Sequence, residues 1–164
     1  MIRNMRELDL EQVMKIWLEG NSQAHRFIDR AYWEMKFEPV REAVRKAEVY
    51  VFEEKGKVEG FIGLDGEYVS GIFVAEETRS RGVGRDLLNH VKALRPALSL
   101  NVYEKNERGV RFYKREGFVI QEQDTDPETG ESEFVMRWEA GRTRRSQDRE
   151  AAPGVYCALG GAKG

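Results

Sequence analysis

The residues with the clearest chemical potential lie in GIFVAEETRSRGVGRDLLNHV, residues 71 to 91. At its centre, Arg79-Ser80-Arg81-Gly82-Val83-Gly84-Arg85 interleaves three cations with two glycines. Glycines let backbone N–H groups come close to a bound oxyanion, and a following helix adds the partial positive charge of its N-terminus. The expected chemistry is therefore capture of phosphate. A P-loop requires lysine and a hydroxyl residue after its last glycine, and Gly84 is followed by Arg85. A dinucleotide fingerprint requires a third glycine where this chain has Leu87, so that reading is weak. What remains is an R-x-x-G-x-G cradle for an anion.

Such a cradle needs a strand to deliver it and a helix to receive it. Upstream, Gly71-Ile72-Phe73-Val74 reads as a strand end. Downstream, Val83, Leu87, Val91 and Leu94 form the stripe of a one-sided helix, stopped by Pro96. Around this unit, a short strand is expected at 2–6. A helix follows, with Asp9 and Gln12 as its capping box, Leu10, Val13, Met14 and Trp17 as its buried stripe and Gly20 as its stop. A second helix is expected over 31–46, with Pro39 as a break or start signal inside it. Strands are expected at 49–54 and 57–64 around a Lys55-Gly56 turn, at 68–74 after Gly66-Glu67, and at 98–103. A short helix over 106–116 closes at Gly117, and strands at 118–123 and 132–138 flank the turn Asp126-Pro127-Glu128-Thr129-Gly130.

Composition narrows the function classes. The chain has 164 residues and a formal charge of −2, enough for one core and too balanced for bulk attraction to nucleic acid or an anionic membrane. Cys157 stands alone, which excludes a disulfide framework and a cysteine zinc site; no metal is expected. No apolar run spans a bilayer and the N-terminus has no apolar signal region, so the expected location is the cytoplasm. The domain is expected to end at residue 138. Residues 139–164, with Arg142-Thr143-Arg144-Arg145 and a Gly/Ala-rich end, read as a disordered tail rather than a basic arm.

With these residues in place, the sequence resembles the GNAT superfamily of acetyl-CoA-dependent N-acetyltransferases. Their pyrophosphate motif, Arg/Gln-x-x-Gly-x-Gly/Ala after the fourth strand, matches Arg79, Gly82 and Gly84. A second stretch, LNVYEKNERGVRFYKREGF at 100–118, matches the fifth strand and next helix through Asn106, Tyr113 and Gly117-Phe118. The words IWLEGN, AHRFI and AYW resemble a small bacterial subgroup that includes peptidyl-lysine acetyltransferases. The resemblance covers residues 1 to 138. It implies an α/β (α+β) fold with a mixed, mostly antiparallel central sheet, flanked by helices and splayed at an acetyl-CoA cleft. It also implies transfer of the acetyl group from acetyl-CoA to a primary amine by direct attack in a ternary complex. The acceptor is open between a protein lysine, an N-terminal amine and a small amine, and so is the oligomeric state. The alternative is a non-catalytic CoA-binding regulatory protein on the same scaffold.

By that resemblance, Arg79, Ser80, Arg81, Gly82, Val83, Gly84 and Arg85 hold the diphosphate, and the backbone of Ile72, Phe73 and Val74 pairs with the pantetheine arm. One of its N–H groups faces the thioester oxygen. Asn106 and Tyr113 are seven residues apart, close to two helical turns, and share a face. Asn106 bonds a pantetheine amide and Tyr113 offers its O–H to the departing sulfur. A helix cap for Asn106 and a core tyrosine for Tyr113 are the plain alternatives. Some relatives carry a glutamate five residues before the motif asparagine, where this chain has Asn101, which cannot take a proton. The expected substitutes are a water relay touching Glu67 or His25, with Glu104 and Tyr68 also in reach. A solvated Glu67 and a backbone-bonded His25 are the competing readings. The charged pattern from Glu104 to Glu116 reads as a solvated face, and Trp33 as core or as a wall of the acceptor slot.

Overall fold

Where the apolar period changes, at residue 47, the chain passes from helices into a seven-stranded sheet. The computed structural model describes residues 1–141; the expected tail lies outside the described residues beyond Gly141. Strand β1 (Ile2–Asn4) leads into α1 (Leu10–Ala24) and α2 (Arg30–Lys46). Strands β2 (Glu48–Glu54), β3 (Lys57–Asp65) and β4 (Tyr68–Val74) form an antiparallel meander. Helix α3 (Val83–Lys92) crosses over to β5 (Ala97–Tyr103), and α4 (Glu107–Arg115) precedes the hairpin of β6 (Val119–Thr125) and β7 (Ser132–Glu139). The order is β1-β2-β3-β4-β5-β7-β6, antiparallel throughout except between β4 and β5. This is the mixed, helix-flanked sheet the resemblance implied.

Two departures occur in α1. The box between Asp9 and Gln12 does not form. Asp9 instead accepts the Arg6 backbone N–H at 2.7 Å and both terminal nitrogens of Arg3 at 2.8 and 3.0 Å. Gln12 Oε1 accepts from the Val58 N–H at 3.0 Å, tying α1 to β3. A nearby guanidinium is a stronger partner for a carboxylate than a free helix-end N–H. Nor does Gly20 stop the helix, which continues to Ala24. A Cβ at Gly20 would stand 2.8 Å from Phe73 Cδ1, so this glycine lets α1 press on β4. Helix α2 runs through Pro39 without a break, started by Asp29, whose side chain accepts from the Ala31 N–H at 2.9 Å.

The sheet has a core on each face. Val83, Leu87, Leu88 and Val91 of α3 pack with Leu98, Leu100 and Val102 on one side. Leu10, Val13, Met14 and Trp17 of α1 meet Trp33, Val40 and Val44 of α2, together with Phe61, Phe73 and Tyr103, on the other. Trp33 is core, its ring 6.0 Å from Trp17. Leu94 is exposed because α3 has already ended. Among the described residues no helix is long and apolar enough to cross a membrane.

The feature that makes a site is where β4 and β5 stop being neighbours. They pair only at Tyr68 and Ser99. The β3–β4 register shifts between Gly63 and Leu64, which leaves Ser70 as an extra residue of β4. Bulges of this kind bend a strand and locally end its pairing. Beyond Tyr68 the β5-facing edge of β4 is left as a backbone surface open to a ligand.

Candidate active site

The Gly-rich turn sits at the open end of this wedge. Gly82 has φ +82°, a conformation that costs a side-chain-bearing residue about 1–2 kcal/mol, and it directly precedes α3. The N-terminus of α3 therefore points its unpaired N–H groups toward the wedge. A groove of about 800 Å³ runs from this turn along the end of β4 to α4. That volume lies within the range of cofactor-sized sites. Ile72, Phe73, Val74, Arg79, Ser80, Gly82, Val83, Gly84, Arg85 and Asn106, all expected from sequence, line it. Gly20 and Gln23, at the end of α1, form its far lip.

Arg81 does not join them. Its guanidinium instead turns to the Glu54 carboxylate of β2 at 3.2 Å. The charged run along α4 is solvent-exposed, as expected, and part of it also borders the groove. Lys105, Arg108, Arg111 and Arg115 line the groove together with one carboxylate, Glu107, while Glu116 stands behind Arg85 and Arg115 at 3.9 and 3.8 Å. The spacing of the three arginines, three and then four residues, was the available signal for one helix face. With Arg79 and Arg85, six cations converge on the groove, although the chain as a whole is acidic.

Asn106 combines the two roles open to it. Its Oδ1 accepts the Gly109 N–H at 3.1 Å as the cap of α4, while the residue lines the groove. Tyr113 is fully buried beneath α4, against Phe112 and Phe118 at ring distances of 5.2 and 5.7 Å, and does not itself line the groove. Its hydroxyl has no hydrogen-bond partner among the described residues. A buried polar atom left so costs about 1–3 kcal/mol, and a thioester sulfur or departing thiolate is the kind of group that fits it. Desolvation pushes the Tyr113 pKa up, so the phenol keeps its proton at neutral pH, as a proton donor requires.

The expected bases fare differently. Glu67 lies in the β3–β4 turn, exposed, 3.9 Å from Arg137. It precedes β4, whereas the groove meets the other end of that strand, roughly 20 Å away at about 3.3 Å per residue. The relay through Glu67 is thus corrected by topology: the β4 residues nearest it in sequence are those farthest from the turn. His25 is the C-cap of α1, its N–H bonded to the Asn21 carbonyl at 2.9 Å. Its ring is fully buried among Phe27, Trp33 and Tyr103, with centroids at 5.7, 5.4 and 5.0 Å, and it does not line the groove. Tyr68 donates to Asn101 Oδ1 at 3.0 Å, and Glu104 accepts from Gln123 at 3.1 Å.

One buried carboxylate, a strand away from the wedge and outside the groove's wall, was missed from sequence. Glu133 of β7 is fully buried and accepts from Asn101 Nδ2 at 3.0 Å. Its signal was a carboxylate at an inward position of the alternating strand Ser132 to Trp138.

Known proteins resemble this chain in sequence and in fold. Residues 45–120 match the acetyltransferase (GNAT) domain family. The peptidyl-lysine N-acetyltransferase YiaC of Escherichia coli K12 is 34% identical over 140 residues, covering 84% of this chain and 96% of that protein. The peptidyl-lysine N-acetyltransferase YjaB of the same organism is 32% identical over 120 residues, 73% of this chain and 82% of the relative. The solution structure of apo YjaB matches with a TM-score of 0.76 at 28% identity, over 84% of this chain and 96% of that one.

Proposed function

Because the chain belongs to the GNAT acetyltransferases, enzymes that take their acetyl group from acetyl-CoA, we propose that its acceptor is the side-chain amine of a protein lysine. The observation that carries the reading is the match to two relatives named for that acceptor, each over most of its length. The groove supports the cosubstrate half. Its cations and the α3 N-terminus suit a ligand with a diphosphate and a further phosphate, and the open edge of β4 suits the amide-bearing pantetheine arm.

In this reading Arg79, Arg85 and the turn N–H groups from Ser80 to Gly84 neutralise the diphosphate. A backbone N–H among Ile72, Phe73 and Val74 donates to the thioester oxygen as charge gathers there. Asn106 holds the arm at the mouth of α4. The amine nitrogen forms its bond to the acetyl carbon, the C–S bond breaks, and Tyr113 gives its proton to the sulfur. The phenolate regains a proton from the nitrogen that has become an amide, so the exchange balances. There is no cysteine among the described residues to carry an acetyl-enzyme, consistent with direct attack.

The test pairs two peptides: one with a free α-amine and no lysine, and one N-terminally blocked with a single internal lysine. CoA release and mass spectrometry of the product are the readouts. Acetylation of the blocked peptide supports the lysine reading, and acetylation of the α-amine peptide alone overturns it.

A further inference from the structure

A lysine acceptor arrives protonated: at a pKa of ~10.4 only about one amine in a few thousand is neutral at pH 7. The groove offers little help: its carboxylate is Glu107, whose side chain is 81% exposed and whose nearest cation is Arg111 at 3.8 Å. Glu67 is at the wrong end of β4. The sheet itself holds a better candidate. Asn101 and Tyr103 of β5 are the register partners of Val135 and Glu133 of β7, so these four side chains share one face of the sheet. It is the face on which Tyr103 packs with α1 and α2. Asn101 stands two residues beyond Ser99, the last β5 residue paired to β4, and therefore just inside the wedge. Its amide is held at both ends: Oδ1 accepts from Tyr68 and Nδ2 donates to Glu133, each at 3.0 Å. A carboxylate accepting from the NH₂ end fixes the orientation of the amide, and with it that of the Tyr68 hydroxyl.

We propose that Glu133, one strand removed from the wedge, is the proton acceptor for the lysine ammonium, reached through a single water beside Asn101. This rests on the lysine reading above. The ammonium N–H bond breaks, its proton passes through the water to a Glu133 oxygen, and the freed electron pair attacks the acetyl carbon. After product leaves, Glu133 returns that proton to solvent, while the second nitrogen proton restores Tyr113. A base working through one water lies within the ordinary reach of general-base catalysis. Asn101, unable to take the proton itself, acts as a positioning residue for Glu133 and Tyr68. Titratable groups near Glu133 include its register partners Asp124 of β6 and Tyr103 of β5, Asp126, to which Tyr103 donates, and, one contact further, His25 against the Tyr103 ring and Tyr68 on the Asn101 amide. From α2, Tyr32 has its pKa raised chiefly by burial and then by the charges of Glu128, Asp126 and Glu133.

The experiment measures Glu133→Gln and the charge-relocated double variant Asn101→Glu/Glu133→Gln against the blocked lysine peptide and the α-amine peptide, from pH 6.5 to about 10, with acetyl-CoA binding followed by calorimetry. Glu133→Gln is expected to bind acetyl-CoA as the wild type does and to lose about 100-fold in kcat/KM on the lysine peptide at pH 7. That loss should shrink as pH nears the lysine pKa of ~10.4, and should be far smaller for an α-amine of pKa ~7.7–8.0. The double variant, with its carboxylate back on β5, should recover most of the lysine rate. An unchanged rate for Glu133→Gln, or one equal loss at every pH and for both amines, overturns the proposal. If Glu133→Gln does not fold, a folded double variant inactive on lysine overturns it and an active one supports it. Wild-type enzyme that acetylates only the α-amine defeats the lysine reading instead, and removes the need for this base.

Discussion

Tyr113 and the two motif glycines show how differently residues of one site are held. Tyr113 is buried beneath the groove rather than in its wall, with a raised pKa and no hydrogen-bond partner for its hydroxyl among the described residues. Tyr113→Phe is expected to cut kcat by roughly 10²–10⁴ while acetyl-CoA binds almost as before, because only the step that protonates sulfur uses the hydroxyl. Single-turnover kinetics beside calorimetry separate the two. Gly82 and Gly84 divide the same way. Alanine at Gly82 is forced to φ +82° and should weaken acetyl-CoA binding by roughly 5–30-fold, the equivalent of about 1–2 kcal/mol of strain. At Gly84 an added methyl would meet Phe112 and Val74 at 3.5 and 3.7 Å, ordinary contact, so Gly84→Ala should change the affinity by about threefold or less. Equal losses for both would contradict that distinction.

At the scale of elements, α4 does two jobs with two faces. Val110 and Tyr113 turn to the core, while Arg108, Arg111 and Arg115 turn to the groove. The arginine face explains how a chain of net charge −2 can attract a polyanion: local convergence outweighs the total within a Debye length of ~8 Å at physiological salt. Arg108→Ala/Arg111→Ala is expected to weaken acetyl-CoA binding on the order of tenfold at low ionic strength, and by less as salt rises. Dephospho-CoA as a second ligand reports whether these arginines grip the ribose phosphate: if they do, the double variant should bind both ligands alike. Helix α1 contributes through a single absent methyl. Gly20 lets it lie on Phe73, which keeps the β4 edge in place beside the turn.

For the whole molecule, the first residues are bound to the sheet by a charged cluster away from the groove. Asp9 is buried, paired with Arg3 and bonded to the Arg6 N–H. The Arg3 hydrogen bonds hold its pKa below the usual carboxylate value. A depressed folded pKa gives stability that is present above the unfolded value of ~3.9 and lost as pH falls through the folded one. Asp9→Asn should therefore lower unfolding stability at pH 7 by about 2 kcal/mol, and the gap to wild type should close in acid. Urea titrations between pH 3 and 7 measure it, and a constant gap across that range would contradict the assignment. Acetyl-CoA binding should be unaffected, since Asp9 lies outside the groove.

The sequence by itself determined the strand–turn–helix at 68–92, its glycine-rich turn, and the seven-residue spacing of Asn106 and Tyr113. Each of these is written in local spacing: a period of two or of three to four, a glycine at a forced φ, a pair two turns apart on one helix. Tertiary structure decided which charges reach the groove. Glu67 and the turn are close in sequence yet stand at opposite ends of β4, and Arg81 is drawn off to Glu54 from a neighbouring strand. Glu133 comes beside Asn101 only because β7 is inserted between β5 and β6, a pairing 32 residues apart in the chain. Side-chain periodicity reports the face a residue takes on its own element. Which other element that face meets is set by the packing of the sheet against its helices, and no short stretch of sequence carries it.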